Sequence, residues 1–322
     1  VADEKPPIDA ILRKVLDAVP FQLSVDEGVE VVRRKLRELP RREVHPEVDA
    51  QDRTIPGPTG DIPIRVYRPA TAGSAPPVVV FFHGGGFAAG DLDTHDGECR
   101  HHAAAADAVV VSVDYRLAPE HPYPAAVEDA WAALTWVAGH GAELSADTAR
   151  LAVAGDSAGG NLAAVMAHRA RDHDGPPISF QLLWYPVTMW DFSLPSVAEN
   201  ADAPILDAAA MAGLSRWYAG ELTDPSPELA PGRAHDFTGL PPAYIAVAGH
   251  DPLRDDGRRY AELLSAAGVP VELHNAETLV HGYLGYAGVV PAATAATDRG
   301  LAALRSALGT GDAAADPSGR PR

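Results

Sequence analysis

The chain has 322 residues, 46% of them hydrophobic, and a formal net charge of −18. That length holds one large domain plus an accessory element, and that apolar fraction fills a substantial core. The acidic balance argues against nucleic acid and anionic membranes as partners, and no apolar run reaches the roughly 18 residues a membrane-spanning helix needs.

The N-terminus, Val1-Ala2-Asp3-Glu4-Lys5-Pro6, lacks the basic-then-apolar pattern of a signal peptide. Ile8 to Val19 and Ser24 to Leu39 read as helices, the second opening with a capping box, Ser24-x-x-Glu27. After Asp61 strand and helix signals alternate, which predicts an α/β fold with a mostly parallel sheet. Ile62 to Tyr67 is expected as an early antiparallel strand, and Val78 to Phe82 as a buried one. His83-Gly84-Gly85-Gly86 follows directly. Three glycines let the backbone approach a ligand and turn its N–H groups into a cavity, as acyl transfer requires for the oxyanion. Gly84 and Gly85 are the candidate donors. A phosphate loop is the rival reading, but no Gly-Lys-Ser/Thr or acidic ribose partner accompanies it.

His95, His101 and His102 have no metal-ligand spacing, so no metal site is expected and they read as solvated helix residues. Cys99, the one cysteine, excludes an intrachain disulfide, reads as a packed helical thiol and fits a cytoplasmic location. Val109 to Val113 is a core strand. Ala125 to His140 is a helix with Val127, Trp131, Leu134 and Val137 on one side.

Gly155-Asp156-Ser157-Ala158-Gly159 lies between the strand-like Leu151 to Ala154 and the helical Asn161 to Arg171. The pentapeptide alone could be a glycine-rich turn. On a sharp strand-to-helix turn, however, the Ser157 hydroxyl is exposed as a nucleophile, and the N–H of Ala158 becomes an oxyanion donor at a helix N-terminus. Phe180 to Trp184 is a further strand, and Val187 to Asp236 interrupts the alternation. Tyr244 to Gly249 is a strand with Asp251 leaving its C-terminal end, either as a carboxylate that orients a histidine or as a helix N-cap before Pro252. Asp255 and Asp256 are rivals for the acid, read as early-helix charges. Val269 to Glu277 is the last strand; its edge near Val271 could pair with a second copy as a homodimer. His281 follows in the loop beyond, with His250 and His274 as competitors among the 13 histidines. The order Ser157, Asp251, His281 is that of an α/β-hydrolase.

His83-Gly84-Gly85-Gly86-Phe87, Asp114-Tyr115-Arg116-Leu117-Ala118-Pro119-Glu120, Gly155 to Leu162, Asp251-Pro252-Leu253-Arg254-Asp255 and His281-Gly282 together resemble the bacterial hormone-sensitive-lipase-like esterases, from about Asp61 to Leu308. The resemblance implies an α/β-hydrolase fold, mostly parallel, flanked by helices and carrying a helical cap. It implies a serine carboxylesterase without cofactor, with Ser157 as nucleophile, His281 as base, Asp251 as acid, and Gly84, Gly85 and Ala158 as donors. His83 and Gly86 would support the oxyanion loop. Two departures, Tyr283 where the family has phenylalanine and Glu277-Thr278-Leu279-Val280 where it has a glycine, touch the pocket and not the catalytic groups.

The expected division is N-terminal cap helices over 1–45, core over 46–186, cap insertion over 187–236, core over 237–308 and a disordered tail over 309–322. Phe87, Trp190, Phe192, Leu206 and Met211 are the pocket candidates. A small-molecule ester of short or medium chain is the expected substrate. An amidase, lactonase or deacetylase with the same triad, or a ligand-binding protein on this fold, are the alternatives.

Overall fold

Runs of Val, Ile and Phe make the middle of the sheet, because β-branched and aromatic side chains fit a pleated surface buried on both sides. The computed structural model describes residues 5–71, 73, 75–222 and 224–310. In chain order the elements are α1 (Ala10–Ala18), α2 (Val29–Glu38), β1 (Asp49–Pro56), β2 (Asp61–Arg68), β3 (Pro77–Phe82), α3 (Asp96–Ala106), β4 (Val109–Val113), α4 (Ala125–Gly139), α5 (Gly141–Leu144), β5 (Asp147–Asp156), α6 (Ala158–Asp172), β6 (Phe180–Trp184), α7 (Pro195–Glu199), α8 (Ala208–Ala219), β7 (Ala243–His250), α9 (Arg254–Ala266), β8 (Val271–Val280) and α10 (Pro291–Ala307). The eight strands order as β1-β2-β4-β3-β5-β6-β7-β8. β2 runs antiparallel to both β1 and β4, and every other pair is parallel. The predicted α/β fold with its early antiparallel strand is therefore present. β1 itself carried no sequence signal: it is mostly polar, and its side chains are largely exposed.

Side chains alternate across each strand. Val78, Val80 and Phe82 of β3 face the layer of α4, α6 and α9. Val79 and Phe81 face the opposite layer with α3, α10 and Leu12 and Leu16 of α1. A third apolar cluster joins Val32 of α2, Val197 of α7 and Met211 and Leu214 of α8 to Ala88, Ala89 and Leu253. Those last three lie in loops beyond β3 and β7, so α2, α7 and α8 cover the C-terminal edge of the sheet.

The second N-terminal helix begins later than predicted. Its N-cap is Gly28 at φ 87°. The Ser24 hydroxyl accepts the N–H of Asp26 at 3.4 Å, and Glu27 pairs with Lys35. A local serine turn has outcompeted the capping box. Of the expected tail, Thr310 is held, its hydroxyl donating to the Ala106 carbonyl at 2.6 Å; residues 311–322 lie outside the described residues.

Candidate active site

β5 ends at Asp156, and the next residue, Ser157, turns into α6 at φ 54°, ψ −116°. For a residue with a Cβ that backbone costs about 1–3 kcal/mol and persists only where the surroundings over-determine it. Here the Ser157 N–H donates to the Trp184 carbonyl at 2.8 Å, and its carbonyl accepts from Asn161 at 3.0 Å. At Gly159 a Cβ would run into the carbonyls of Phe82 and His83, which explains the glycine two residues after Ser157. Asn161 then ties the elbow helix to the insertion, donating to the carbonyls of Val187 and Leu229, each at 2.8 Å.

Asp251 is the first residue after β7 and His281 the first after β8. His281 Nδ1–H donates to Asp251 Oδ2 at 2.8 Å, and the Ser157 hydroxyl donates to His281 Nε2 at 2.9 Å. The other Asp251 oxygen accepts the Leu253 N–H at 2.8 Å. Exposure is 7% for Ser157, 0% for Asp251 and 3% for His281, so the line of hydrogen bonds is shielded from water. The competitors are engaged elsewhere. His250 Nε2 meets the Pro6 carbonyl at 2.9 Å. Asp255 accepts the Ser196 N–H at 2.9 Å. Asp256 is more than an early-helix charge: it is buried and holds the N–H groups of Thr188 and Met189 at 2.9 and 2.8 Å, and burial pushes its carboxyl up to about 7.

The glycine loop after β3 corrects one expectation. The Gly84 N–H donates to Asp156 Oδ1 at 2.8 Å and is not free for a substrate. Gly85, at φ 116°, packs so tightly on the Ala89 carbonyl that no side chain fits. Among the described residues no hydrogen bond uses the N–H of Gly85 or Gly86, and the N–H of Ala158 heads α6, where no intrahelical acceptor exists. His83 braces the loop: its Nδ1–H donates to the Gly84 carbonyl at 2.8 Å, its ring stacks on Tyr115 at 4.3 Å, and the Tyr115 hydroxyl donates back to the His83 carbonyl at 2.7 Å. Burial, reinforced by nearby His95, lowers the His83 ring to about 4 and keeps it neutral.

Asp156 has a second partner. His95 Nε2 lies 3.4 Å from Asp156 Oδ1. His95 Nδ1 lies 3.0 Å from the Thr94 hydroxyl, which spends its own proton on the Asp91 carbonyl at 2.9 Å. Asp156 at one nitrogen and the Thr94 oxygen at the other favour the charged form of the ring. Burial pulls His95 down, but Asp156 outweighs it and the net shift is upward. Burial raises Asp156, and His95 outweighs that in turn, leaving the carboxyl below its usual range.

A cavity of about 400 Å³ opens on Ser157 and His281. One wall is apolar, with Val15, Val19, Phe21, Leu23 and Leu36 from the N-terminal segment; the other is the polar flank of α3. None of Phe87, Trp190, Phe192, Leu206 and Met211 lines it. Phe87 stacks on Tyr218 at 3.8 Å and lies 6.3 Å from Trp190, Leu206 and Met211 sit in the cluster with α2, and Phe192 is 42% exposed. The aromatics of the insertion satisfy one another. Nor is every α3 histidine solvated: His102 is buried, donating to the Glu98 carbonyl at 2.7 Å and accepting from Trp184 Nε1 at 3.0 Å. Arg33 of α2, which carried no motif, reaches the carbonyls of Ala88 and Ala118 at 2.8 and 2.9 Å and forks onto Glu120 at 2.9 and 2.7 Å.

The family model for the alpha/beta hydrolase fold matches residues 79–285. The chain is 70% identical over 311 residues to the esterase LipI of Mycobacterium tuberculosis, covering 95% of this chain and 97% of that protein. It is 57% identical to the carboxylesterase NlhH of the same organism, over 94% and 97% of the two chains. Among solved structures, the hyperthermophilic esterase of Pyrobaculum calidifontis superposes with a TM-score of 0.84 at 39% identity, covering 94% of this chain and 99% of that one. With fold, edge geometry and relatives in agreement, the chain belongs to the α/β-hydrolase family, among its bacterial hormone-sensitive-lipase-like esterases, and is a carboxylic ester hydrolase.

Proposed function

We propose that the protein is a serine carboxylesterase of short- to medium-chain esters. The observation that carries this reading is the Ser157–His281–Asp251 line of hydrogen bonds at 2.9 and 2.8 Å, opening on a cavity of about 400 Å³. That volume falls at the small end of ligand pockets, roughly 300–1,000 Å³, and favours modest acyl or alcohol chains over triglyceride. His281 takes the Ser157 proton as the oxygen attacks the ester carbonyl, and Asp251 steadies the imidazolium. The N–H groups of Gly85, Gly86 and Ala158 receive the oxyanion; a single donor in such a hole is worth about 10²–10³ in kcat. His281 then protonates the leaving alcohol, and water repeats the cycle on the acyl-enzyme. All these groups belong to the chain itself.

The test is hydrolysis of p-nitrophenyl esters from acetate to palmitate by this chain and by Ser157→Ala. Turnover that peaks at short or medium chains and disappears in the variant supports the reading. Folded protein inactive on every ester would turn it toward an amidase or lactonase. Two finer readings go with it. A cytoplasmic location is supported by the single buried cysteine and is checked by cell fractionation. A homodimer through the open edge of β8, where Leu273 is 41% exposed, is checked by sedimentation.

A further inference from the structure

The polar flank of the cavity is almost fully spent on the protein's own hydrogen bonds. His95 serves Thr94 and Asp156, and His102 serves the Glu98 carbonyl and Trp184. His101 Nε2 faces Asp298 at 3.4 Å, and the Thr297 hydroxyl donates to the Ala293 carbonyl at 2.8 Å. Glu98 is different. Its carboxylate lines the cavity and faces bare backbone: a Cβ on Gly285 would lie 3.7 Å from Glu98 Oε1. Apart from its own backbone N–H, no hydrogen bond or ion pair reaches that carboxylate among the described residues. Burial raises its pKa. Glu98 as a residue is half-buried, with its carboxylate open to the cavity, so a ligand that fills the cavity and displaces water from it must replace that hydrogen bond or leave the acceptor unserved.

The charges around Glu98 say which donor fits. His95, biased toward its charged form by Asp156, and Arg41 both bear on it, with Asp156 beyond. Cations are thus already close by, and a further ammonium would meet them; a neutral hydroxyl would not.

We propose that Glu98 is a substrate-selecting residue, accepting a hydrogen bond from a hydroxyl carried on the part of the ester that fills this cavity. Hydroxylated esters are then preferred over alkyl esters of equal length. The inference rests on the esterase reading above. A site built around a polar acceptor discriminates against an isostere that lacks the donor far more strongly than an apolar pocket discriminates by one methylene.

The experiment compares kcat/KM within two matched pairs, one for each side of the ester: p-nitrophenyl 6-hydroxyhexanoate against p-nitrophenyl heptanoate, and 4-hydroxybutyl butyrate against pentyl butyrate. Expected is a preference for the hydroxylated member of one pair that falls at least about tenfold in Glu98→Leu and is largely kept in Glu98→Gln, which retains an acceptor oxygen. If Glu98→Leu does not fold, Glu98→Ala carries the same expectation. A ratio unchanged in both pairs overturns the inference. So does an equal loss on both members of a pair, which would make Glu98 a structural support of His95. Turnover of p-nitrophenyl butyrate by the unaltered chain separates these outcomes from failure of the esterase reading, in which no ester is cleaved and the inference falls with it.

Discussion

Ser157, Asp251 and His281 are each the first residue beyond a parallel strand, β5, β7 and β8, whereas the cavity beside them draws its walls from residues as far apart as Val15, Glu98, Ile205 and Val289. The edge that carries these three residues is set by short-range rules: a strand ends, the chain turns, and the sheet aligns three ends at one edge. The cavity is set by how helices dock, and a helix face without a motif docks wherever apolar area is available. The first region is expected to be sensitive to changes in chemistry, and the second to changes in shape.

Substitutions at the edge should have the largest effects. Ser157→Ala is expected to abolish ester turnover, and Asp251→Asn to lower kcat by about 10⁴ with KM little changed, by analogy with serine-protease triads. Steady-state kinetics on p-nitrophenyl butyrate would show either. Near-full activity in Asp251→Asn would place the acid elsewhere and break the contrast. Gly85→Ala should cost about 10²–10³ in kcat, because the new Cβ meets the Ala89 carbonyl at a φ of 116° and moves a donor. The far-UV spectrum should stay native, separating lost chemistry from lost fold.

In the cavity the effects should be smaller and should depend on the substrate. Leu36→Ala widens the apolar wall and is expected to move the chain-length optimum upward, changing kcat/KM ratios between neighbouring esters by about tenfold while kcat on the best ester changes little. A loss equal on all chain lengths would mean that the wall supports the edge instead.

His102 links the cavity to stability. Burial lowers its ring to about 4 from an ordinary 6.5, so its contribution is fully present above pH 6.5 and is lost as pH falls toward 4. The fall in Tm over that window should be shallower in His102→Asn, although the variant starts from a lower Tm at pH 7. An equally steep fall would assign the acid sensitivity to His83 and His168, which burial also lowers to about 4. The smallest effect is expected at Phe192. Half exposed and outside the cavity wall, its replacement by Ala should leave stability within about 0.5 kcal/mol and kcat/KM within about twofold.

The same contrast explains what the sequence could tell. The elbow at Ser157 was legible because the strand, glycines and helix that shape it are neighbours in the chain. Asp251 stood out because the buried run of β7 ends just before it, whereas β8, only partly buried, runs to Val280 and not to the expected Glu277, so His281 follows the strand directly. The clamp of Asp156 on Gly84 was not legible, since it joins residues far apart in the chain through a backbone N–H that leaves no trace in composition. The pocket residues were misjudged for a related reason. Trp190 and Phe87 look like pocket lining by type, yet Tyr218 lies face to face with Phe87 and within 6.3 Å of Trp190. Phe21, in the loop between the two N-terminal helices, and Leu36, on a helix whose apolar spacing speaks only of a helix, do line the cavity. β1 was invisible because an edge strand exposed to water needs no apolar alternation.

Arg33 bears on how substrate and product move. From α2 it grips the Ala88 carbonyl, just past the oxyanion loop, the Ala118 carbonyl and the Glu120 carboxylate, which its hydrogen bonds hold down to about 2. Moving α2 away from the sheet edge would break these contacts with the loops beyond β3 and β4. With α2 tied to those loops in this way, turnover is expected to rise smoothly with dissolved ester and to show no jump when substrate forms droplets, which kinetics across the solubility limit would check.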